Sequence, residues 1–304
     1  MIQYTTHSHI DRQKWDACIT SSQNRLPYAL TWWLDEVCPQ WDALVLDDYK
    51  AVMPLSHGRK FGIRYLYQPY LTQQLGIFSI SKLTPETIKD FLSAIPRKYK
   101  YVRIQLNPGN IIQHTDILFS TRKDYILDLT DTATGLAGRY HRNCRRNIQH
   151  AVNAGLSVKP GPAPSEFALF IKENLHEQIT IRHKSFYPML DRITAISIQQ
   201  GSGEIAGVYM PTGELTAAGW FVTTMGRCLF LVCASTAQGK KNQAMYMLVN
   251  HMISKNAGSG LTFDFTGSNI PGIEYFNSGF GSTETHYPVF SRNLLPWPLN
   301  NYKL

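Results

Sequence analysis

Residues 263–281 read FDFTGSNIPGIEYFNSGFG. A short apolar strand runs into Thr-Gly-Ser-Asn, and Pro271 then opens an aromatic helix that stops at Gly279-Phe280-Gly281. Ser268 and Asn269 are placed to cap that helix, which accounts for the crowd of turn formers. A second reading adds a bound anionic group at the same first turn, where helix N–H groups have no partner. Gly267, Ser268 and Asn269 are therefore candidate site residues.

Working back from this corner, MISKNAGSGLTFDFTGSN (252–269) lays out a helix end, a short link, a strand and a small polar turn. FLSAIPRKYKYVRIQLNPGN (91–110) has the same order, with little residue identity. Each block has its own context. DALVLD (42–47) and KAVMPLS (50–56) form a strand pair, and TPETIKDFLSAI (84–95) is a helix with Thr at its cap and Pro at its first position. DYILDL (124–129) is a further strand. In the second half EIAGVYM (204–210), ELTAAGWFVTT (214–224) and RCLFLVCAS (227–235) are strands, and NQAMYMLVNHMISKNAG (242–258) is a helix ended by Gly. This grammar predicts an α/β (α+β) protein of two domains, 1–130 and 131–304, each a mixed, mostly antiparallel sheet flanked by helices.

GLAGRYHRNCRRNIQHAVNAG (135–155) lies between the halves. Leu136, Tyr140, Cys144, Ile148 and Val152 recur every fourth position, so one apolar stripe on one helix is expected. Arg139, Arg142, Arg145 and Arg146 cover the rest of its surface. A solvated helix face is the plain reading of such a run. The sharper one is a phosphate site, because guanidinium groups bind phosphate in bidentate fashion. Asp128 and Asp131 are near enough in sequence to pair with some of them.

Composition sets the outer bounds. The 304 residues hold 30 Lys plus Arg against 22 Asp plus Glu, a net charge of +8 that favours anionic partners. The first sixteen residues lack the apolar core of a signal peptide, and the densest apolar run, CLFLVCA (228–234), is too short to span a bilayer. Cysteines 18, 38, 144, 228 and 233 show no CxxC pair and read as reduced, buried residues of a cytoplasmic protein. The histidines form no convincing zinc set; His7 and His9 have ligand-like spacing in an N-terminus expected to fray. Trp32, Trp33 and Trp41 are expected to pack in a core.

With these blocks in view, ILDLTDTATGLAGRYHRNCRRNIQHAVNAGLSV resembles the stretch joining the halves of Fem-type peptidyltransferases, and DFTGSNIPGIEYFNSGFG resembles their Asp-Phe-x-Gly-Ser turn and Phe-Gly ending. LDEVCPQWDALV and VMPLSHGRKFGIRYLYQPYLTQQLGIFS also look like first-half blocks of that group. The resemblance implies two acetyltransferase-like (GNAT) domains in tandem and acyl transfer to an amine. Fem-type enzymes move an amino acid from aminoacyl-tRNA to a peptidoglycan precursor; other relatives are expected to use acyl-CoA. The resemblance further implies that Tyr275, four residues before Gly279-Phe280, donates a proton to a leaving group. It departs at the acetyl-CoA pyrophosphate loop, where Gln or Arg, two residues, Gly, one residue, and Gly or Ala are usual. Here Ala237-Gln-Gly-Lys-Lys-Asn-Gln-Ala244 puts Lys241 at the required glycine.

Acyl transfer needs a neutral amine, a carbonyl held near it, and donors aimed at the developing oxyanion. No Ser-His-Asp or Cys-His arrangement stands out, so direct attack by the amine is expected, without a covalent enzyme intermediate. Lys240, Lys241 and Asn242, placed at a helix start, can hold donor phosphates with Arg142, Arg145 and Arg146; a solvated loop is the other reading. Asp264 is a base or amine-orienting carboxylate, or else it caps the next turn. Tyr275 is an acid, or a core residue beside Phe276 and Phe280. Expected partners are a small-molecule or peptidoglycan-precursor amine and, as donor, acyl-CoA or aminoacyl-tRNA, with no tightly bound cofactor and no metal. The cleft between the halves is expected to hold the acceptor and the second half the donor. Two rivals stand: a CoA-dependent N-acetyltransferase of a small amine or amino sugar, and a non-catalytic protein of this fold binding RNA or a nucleotide-linked ligand.

Overall fold

The structure, a computed structural model, describes residues 1–112, 118–175, 185–267 and 269–297. The chain forms two compact units, residues 1–122 with the segment from His286, and residues 123–285.

The first unit contains β1 (Ile2–Thr5), α1 (Arg12–Ser21), α2 (Thr31–Val37), β2 (Asp42–Leu46), β3 (Ala51–Leu55), β4 (His57–Lys60), β5 (Ile63–Leu66), β6 (Phe78–Ser79), α3 (Pro85–Ala94) and β7 (Tyr99–Gln105). Strands β1, β2, β3 and β6 pair antiparallel in that order. β4 pairs antiparallel with β5, which runs parallel to β7. Helix α3 begins as its sequence predicts, with the Thr84 hydroxyl accepting from Thr87 N at 3.2 Å and Pro85 in the first turn. Its Ile88, Phe91 and Leu92 pack with Met53, Leu66, Val102 and Ile104 to form the core of the unit. Trp33 and Trp41 are fully buried, and Trp32 rests against Trp33 with ring centroids 5.2 Å apart. The N-terminus is ordered rather than frayed, because β1 pairs along β2 and the His7 ring bonds Trp41 O at 3.1 Å.

The chain leaves this unit within β8 (Phe119–Asp128). The second unit adds α4 (Ala133–Gly138), α5 (Arg142–Asn153), β9 (Ser157–Pro160), α6 (Pro164–Asn174), α7 (Phe186–Gln199), β10 (Gly203–Tyr209), β11 (Leu215–Thr224), β12 (Arg227–Ser235), α8 (Ala237–Lys241), α9 (Ala244–Lys255), β13 (Thr262–Asp264), α10 (Pro271–Ser278) and the start of β14 (Thr283–Asn293). Its strands run β8-β13-β12-β11-β10-β9, antiparallel except for the parallel pair β12–β13. β11 is buried along most of its length because helices cover both of its faces. Ala217 and Phe221 face α9, which buries Leu248, Val249 and Met252. Trp220 faces the other way and donates to Ser197 Oγ on α7 at 3.1 Å.

Two differences from the sequence reading concern boundaries. Sequence order gave residues 131–304 to one domain; the segment from His286 folds into the first unit, because β14 pairs antiparallel with β7 from Val289↔Gln105 to Asn293↔Tyr101. The single arginine helix is two helices, broken at Arg139–His141, where His141 is extended and starts α5. A four-residue repeat also drifts around a helix by roughly 40° per step. Leu136, Tyr140 and Cys144 are buried, Ile148 is half-buried, and Val152 has rotated out to 51% exposure, with Ala151 turned inward instead.

Candidate functional site

The site develops where two parallel strands part. β12 and β13 share three paired positions, Arg227↔Thr262, Cys228↔Phe263 and Leu229↔Asp264. β13 then ends while β12 continues to Ser235, so the β12 edge past Leu229 has no strand partner on that side among the described residues. Unpaired strand N–H and C=O groups at such a notch are available to a ligand. The corner is strained as well. Thr266 and Gly267 both have left-handed φ, +54° and +47°, and a β-branched residue there costs on the order of 1–2 kcal/mol. Two bonds hold it: Thr266 N donates to Asp264 Oδ1 at 2.8 Å, and the Thr266 hydroxyl donates to Phe230 O at 2.5 Å.

The first unit treats the same place differently. β5 and β7 pair as far as Leu66↔Val102, and then the chain's own segment fills the gap. Leu75 N donates to Gln105 O at 2.8 Å, Asn107 N to Leu75 O at 2.9 Å, and Ile77 N to Asn110 Oδ1 at 2.8 Å. Asn107 and Asn110 are fully buried in this role. The polar turns that look alike in sequence therefore serve a plug in one unit and an open notch in the other.

Asp264 is only 2% exposed at the floor of the notch. Its Oδ2 accepts from Arg227 Nη1 at 3.2 Å, and the Asp124 carboxyl of β8 lies close by. Burial pushes its pKa up, against the pull of Arg227 and the Thr266 N–H. The carboxylate bonds its own turn, as one of the two sequence readings has it, and also pairs with Arg227, a residue distant in sequence that the sheet brings beside it.

Tyr275 is 59% exposed on α10, which removes the core-packing reading. Phe276 and Phe280 do pack, their rings 4.7 and 5.8 Å from Tyr246. Tyr246, which they meet, belongs to the first turn of α9. Lys123 fixes α10 from below, with Nζ 3.5 Å from Glu274 and 3.1 Å from Glu284, and Tyr125 donates to Glu284 at 2.9 Å. Asn269 does not occupy the cap position of α10, which falls to Ile270 immediately before Pro271. Ser268 itself lies outside the described residues.

Lys240 and Lys241 do not begin a helix. They end α8, a single short turn capped by the Thr236 hydroxyl, and α9 starts only at Ala244. Gly239 is required for packing, since a Cβ there would stand 2.1 Å from Thr216 O on β11. The turn's donors are already used: Gly239 N bonds Thr236 Oγ1, Lys240 N bonds Thr236 O, Asn242 N bonds Gln238 O and Gln243 N bonds Lys240 O. Asn242 is buried, with its amide 3.5 Å from Met210 Sδ. Gln243 carries the left-handed φ of +60° that a glycine would take without strain. This turn does not fit a pyrophosphate cradle of backbone N–H groups; it offers two exposed lysines instead.

Helix α5 packs on α9 and leaves Arg142, Arg145 and Arg146 exposed. Arg139 is taken by Asp131 at 2.6 Å, whereas these three have no carboxylate partner among the described residues. Arg145 bonds Gly138 O at 3.2 Å and Arg146 bonds Asn143. An open cavity of about 580 Å³ runs beside the helix, lined by Arg146, Gln149, His150, Asn153 and Ala154. The four cavity residues after Arg146 were not singled out from sequence, although a three- to four-residue spacing along α5 puts them on its face. No helix among the described residues is long and apolar enough to cross a membrane, and no three of their His, Cys, Asp and Glu side chains are grouped to hold a metal ion.

No protein-family model matches the sequence, and no curated protein matches it either. Solved structures do share its fold. FemX aligns with a TM-score of 0.68 at 13% identity, over 94% of this chain and 96% of its own. The C-terminal domain of a protein assigned as a lysylphosphatidylglycerol synthetase from Agrobacterium fabrum aligns at 0.59 and 12% identity, over 93% and 92%. L-PGS from Bacillus licheniformis aligns at 0.56 and 14% identity, over 95% and 93%. The chain thus shares the Fem-like fold that its sequence pointed to.

Proposed function

We propose that this protein is an acyltransferase that moves an aminoacyl group from aminoacyl-tRNA to an acceptor amine at the β12–β13 notch. The observation that carries the reading is the notch itself, open in the second unit and plugged in the first, within a fold shared with FemX. The donor assignment is supported by the spent N–H groups of the α8 turn, which argue against acyl-CoA, and by the exposed arginines of α5, which have no carboxylate partner among the described residues and lie beside an open cavity. Arginine binds the phosphates of a nucleic acid backbone well.

In this reading the amine lone pair attacks the ester carbonyl, and free N–H groups of the β12 edge meet the developing oxyanion. Collapse forms the amide and expels the tRNA hydroxyl. The amine loses one proton and the leaving oxygen gains one, for which the exposed Tyr275 hydroxyl is the proposed donor. Asp264, sealed and ion-paired, acts as a positioning residue that holds the corner where the strands part. Lys240 and Lys241 neutralise donor phosphate.

The test is single-turnover transfer from tRNA carrying labelled amino acids to peptidoglycan-precursor amines and small amines. Label appearing in an amide product, lost in Tyr275→Phe and Lys240→Ala/Lys241→Ala, supports the reading. The rival of a non-catalytic RNA-binding protein is favoured by the α5 surface alone; it gains if tRNA binds without any transfer.

A further inference from the structure

The β4–β5 hairpin of the first unit ends in a two-residue turn, Phe61-Gly62, with φ of +50° and +80°. Positive φ at both positions defines the turn type that asparagine, aspartate and glycine favour. A bulky aromatic at the first of them is strained, and this one gains no burial in return: Phe61 is 89% exposed. Behind it Arg59 and Arg64 stand directly opposite each other across the strands. Like charges in that register repel. Arg59, Lys60 and Arg64 are all exposed and have no carboxylate partner among the described residues, and Lys60 Nζ lies 5.7 Å from the Phe61 ring centroid.

The topology brings more of the same chemistry to this end of the sheet. β5 runs parallel to β7, with Arg64 opposite Tyr99, so the turn lies at the end where β7 begins. β14 finishes at that end too, with Leu294 N donating to Lys100 O at 2.7 Å. Three residues on, Trp297 is 81% exposed. The most exposed aromatic ring among the described residues, Phe61, thus stands at a sheet end that also presents Arg59, Lys60, Arg64 and Lys100, and the next most exposed, Trp297, follows four residues after β14 finishes there.

We infer that this end of the first unit docks on an anionic phospholipid surface, with Phe61 entering the headgroup region and the flanking cations pairing with lipid phosphates. Charge complementarity selects an anionic partner, and an aromatic at the apex of a turn is placed to insert between headgroups. A stacking site for a nucleic acid base would instead set its rings flat along a groove. The inference stands apart from the acyl-transfer reading, which concerns the second unit.

Co-sedimentation of the full chain with vesicles tests it. The protein should bind mixed phosphatidylglycerol–phosphatidylcholine vesicles and not pure phosphatidylcholine vesicles. Phe61→Asn should cut that binding about tenfold while the melting temperature holds or rises, because Asn suits the left-handed position. Arg59→Gln/Arg64→Gln should cut it by a similar factor and flatten its salt dependence. No binding, equal binding to both vesicles, full binding by Phe61→Asn, or Phe61-dependent capture of RNA in place of vesicles would each overturn the proposal.

Discussion

Arg227 Nη1 reaches Asp264 Oδ2 at 3.2 Å across β12 and β13, and Asp264 stands beside Leu229 at the last position where those strands pair. The ion pair thus fastens the seam at the point where it opens. Breaking one partner leaves a buried, uncompensated charge. Arg227→Leu should cost about 3–5 kcal/mol in urea unfolding, and adding Asp264→Asn should restore most of the loss, since Asn still accepts from Thr266 N. Additive losses in the double variant would show that the two side chains are not coupled.

Two buried aspartates give the units opposite responses to acid. Burial alone would raise Asp42, but hydrogen bonds from His57, Tyr4 and Tyr99 overcome it and hold the carboxyl well below its ordinary range. Its contribution is present above the unfolded value of about 4 and is lost as pH falls further. Asp264 is raised, so its contribution is full below about 4 and is lost as pH climbs toward its folded value. On acidification from neutrality, peptides of β12 and β13 should first gain protection from hydrogen exchange. Those of β1 and β2 should lose it below pH of about 4. Asp264→Asn removes the first change and Asp42→Asn the second.

Gln243 holds a left-handed turn that its side chain disfavours. Gln243→Gly should stabilise the protein by about 0.5–1 kcal/mol, read from the urea midpoint at constant slope. Because the neighbouring donors stay engaged in α8, acetyl-CoA should raise the melting temperature of neither protein. A clear thermal shift with the unmodified chain would return the acyl-CoA reading to first place.

The arginines of α5 predict a salt signature. Arg142→Gln/Arg145→Gln/Arg146→Gln should weaken tRNA binding and reduce the slope of log K against log salt by about 2, at roughly 0.7 per lost contact with single strands. Unchanged binding would leave α5 as a solvated helix face.

Much of this architecture was legible because strand and helix periods, Pro at first turns and Gly at helix ends act locally. Thr84 and Pro85 start α3 where they were expected to, and each predicted strand of the second half is present. Features that depend on distant partners were not legible. Nothing near Asp264 in sequence announces Asp124 or Arg227, since the sheet brings them together. Nor does Asn107-Pro-Gly-Asn110 reveal that it clasps residues 75–77, whereas past Asp264 the β12 edge gains no strand partner among the described residues. The lysines of α8 misled because one turn of helix, set by Thr236 and Gly239, intervenes before α9.

The plug in the first unit has an evolutionary and practical corollary. If both units descend from one ancestral module, one copy surrendered its socket to its own backbone and became a scaffold. Trimming Leu75–Ile77 back to a bare turn would uncover a second notch in a protein that already has one between β12 and β13, a starting point for installing a second ligand specificity in a single chain.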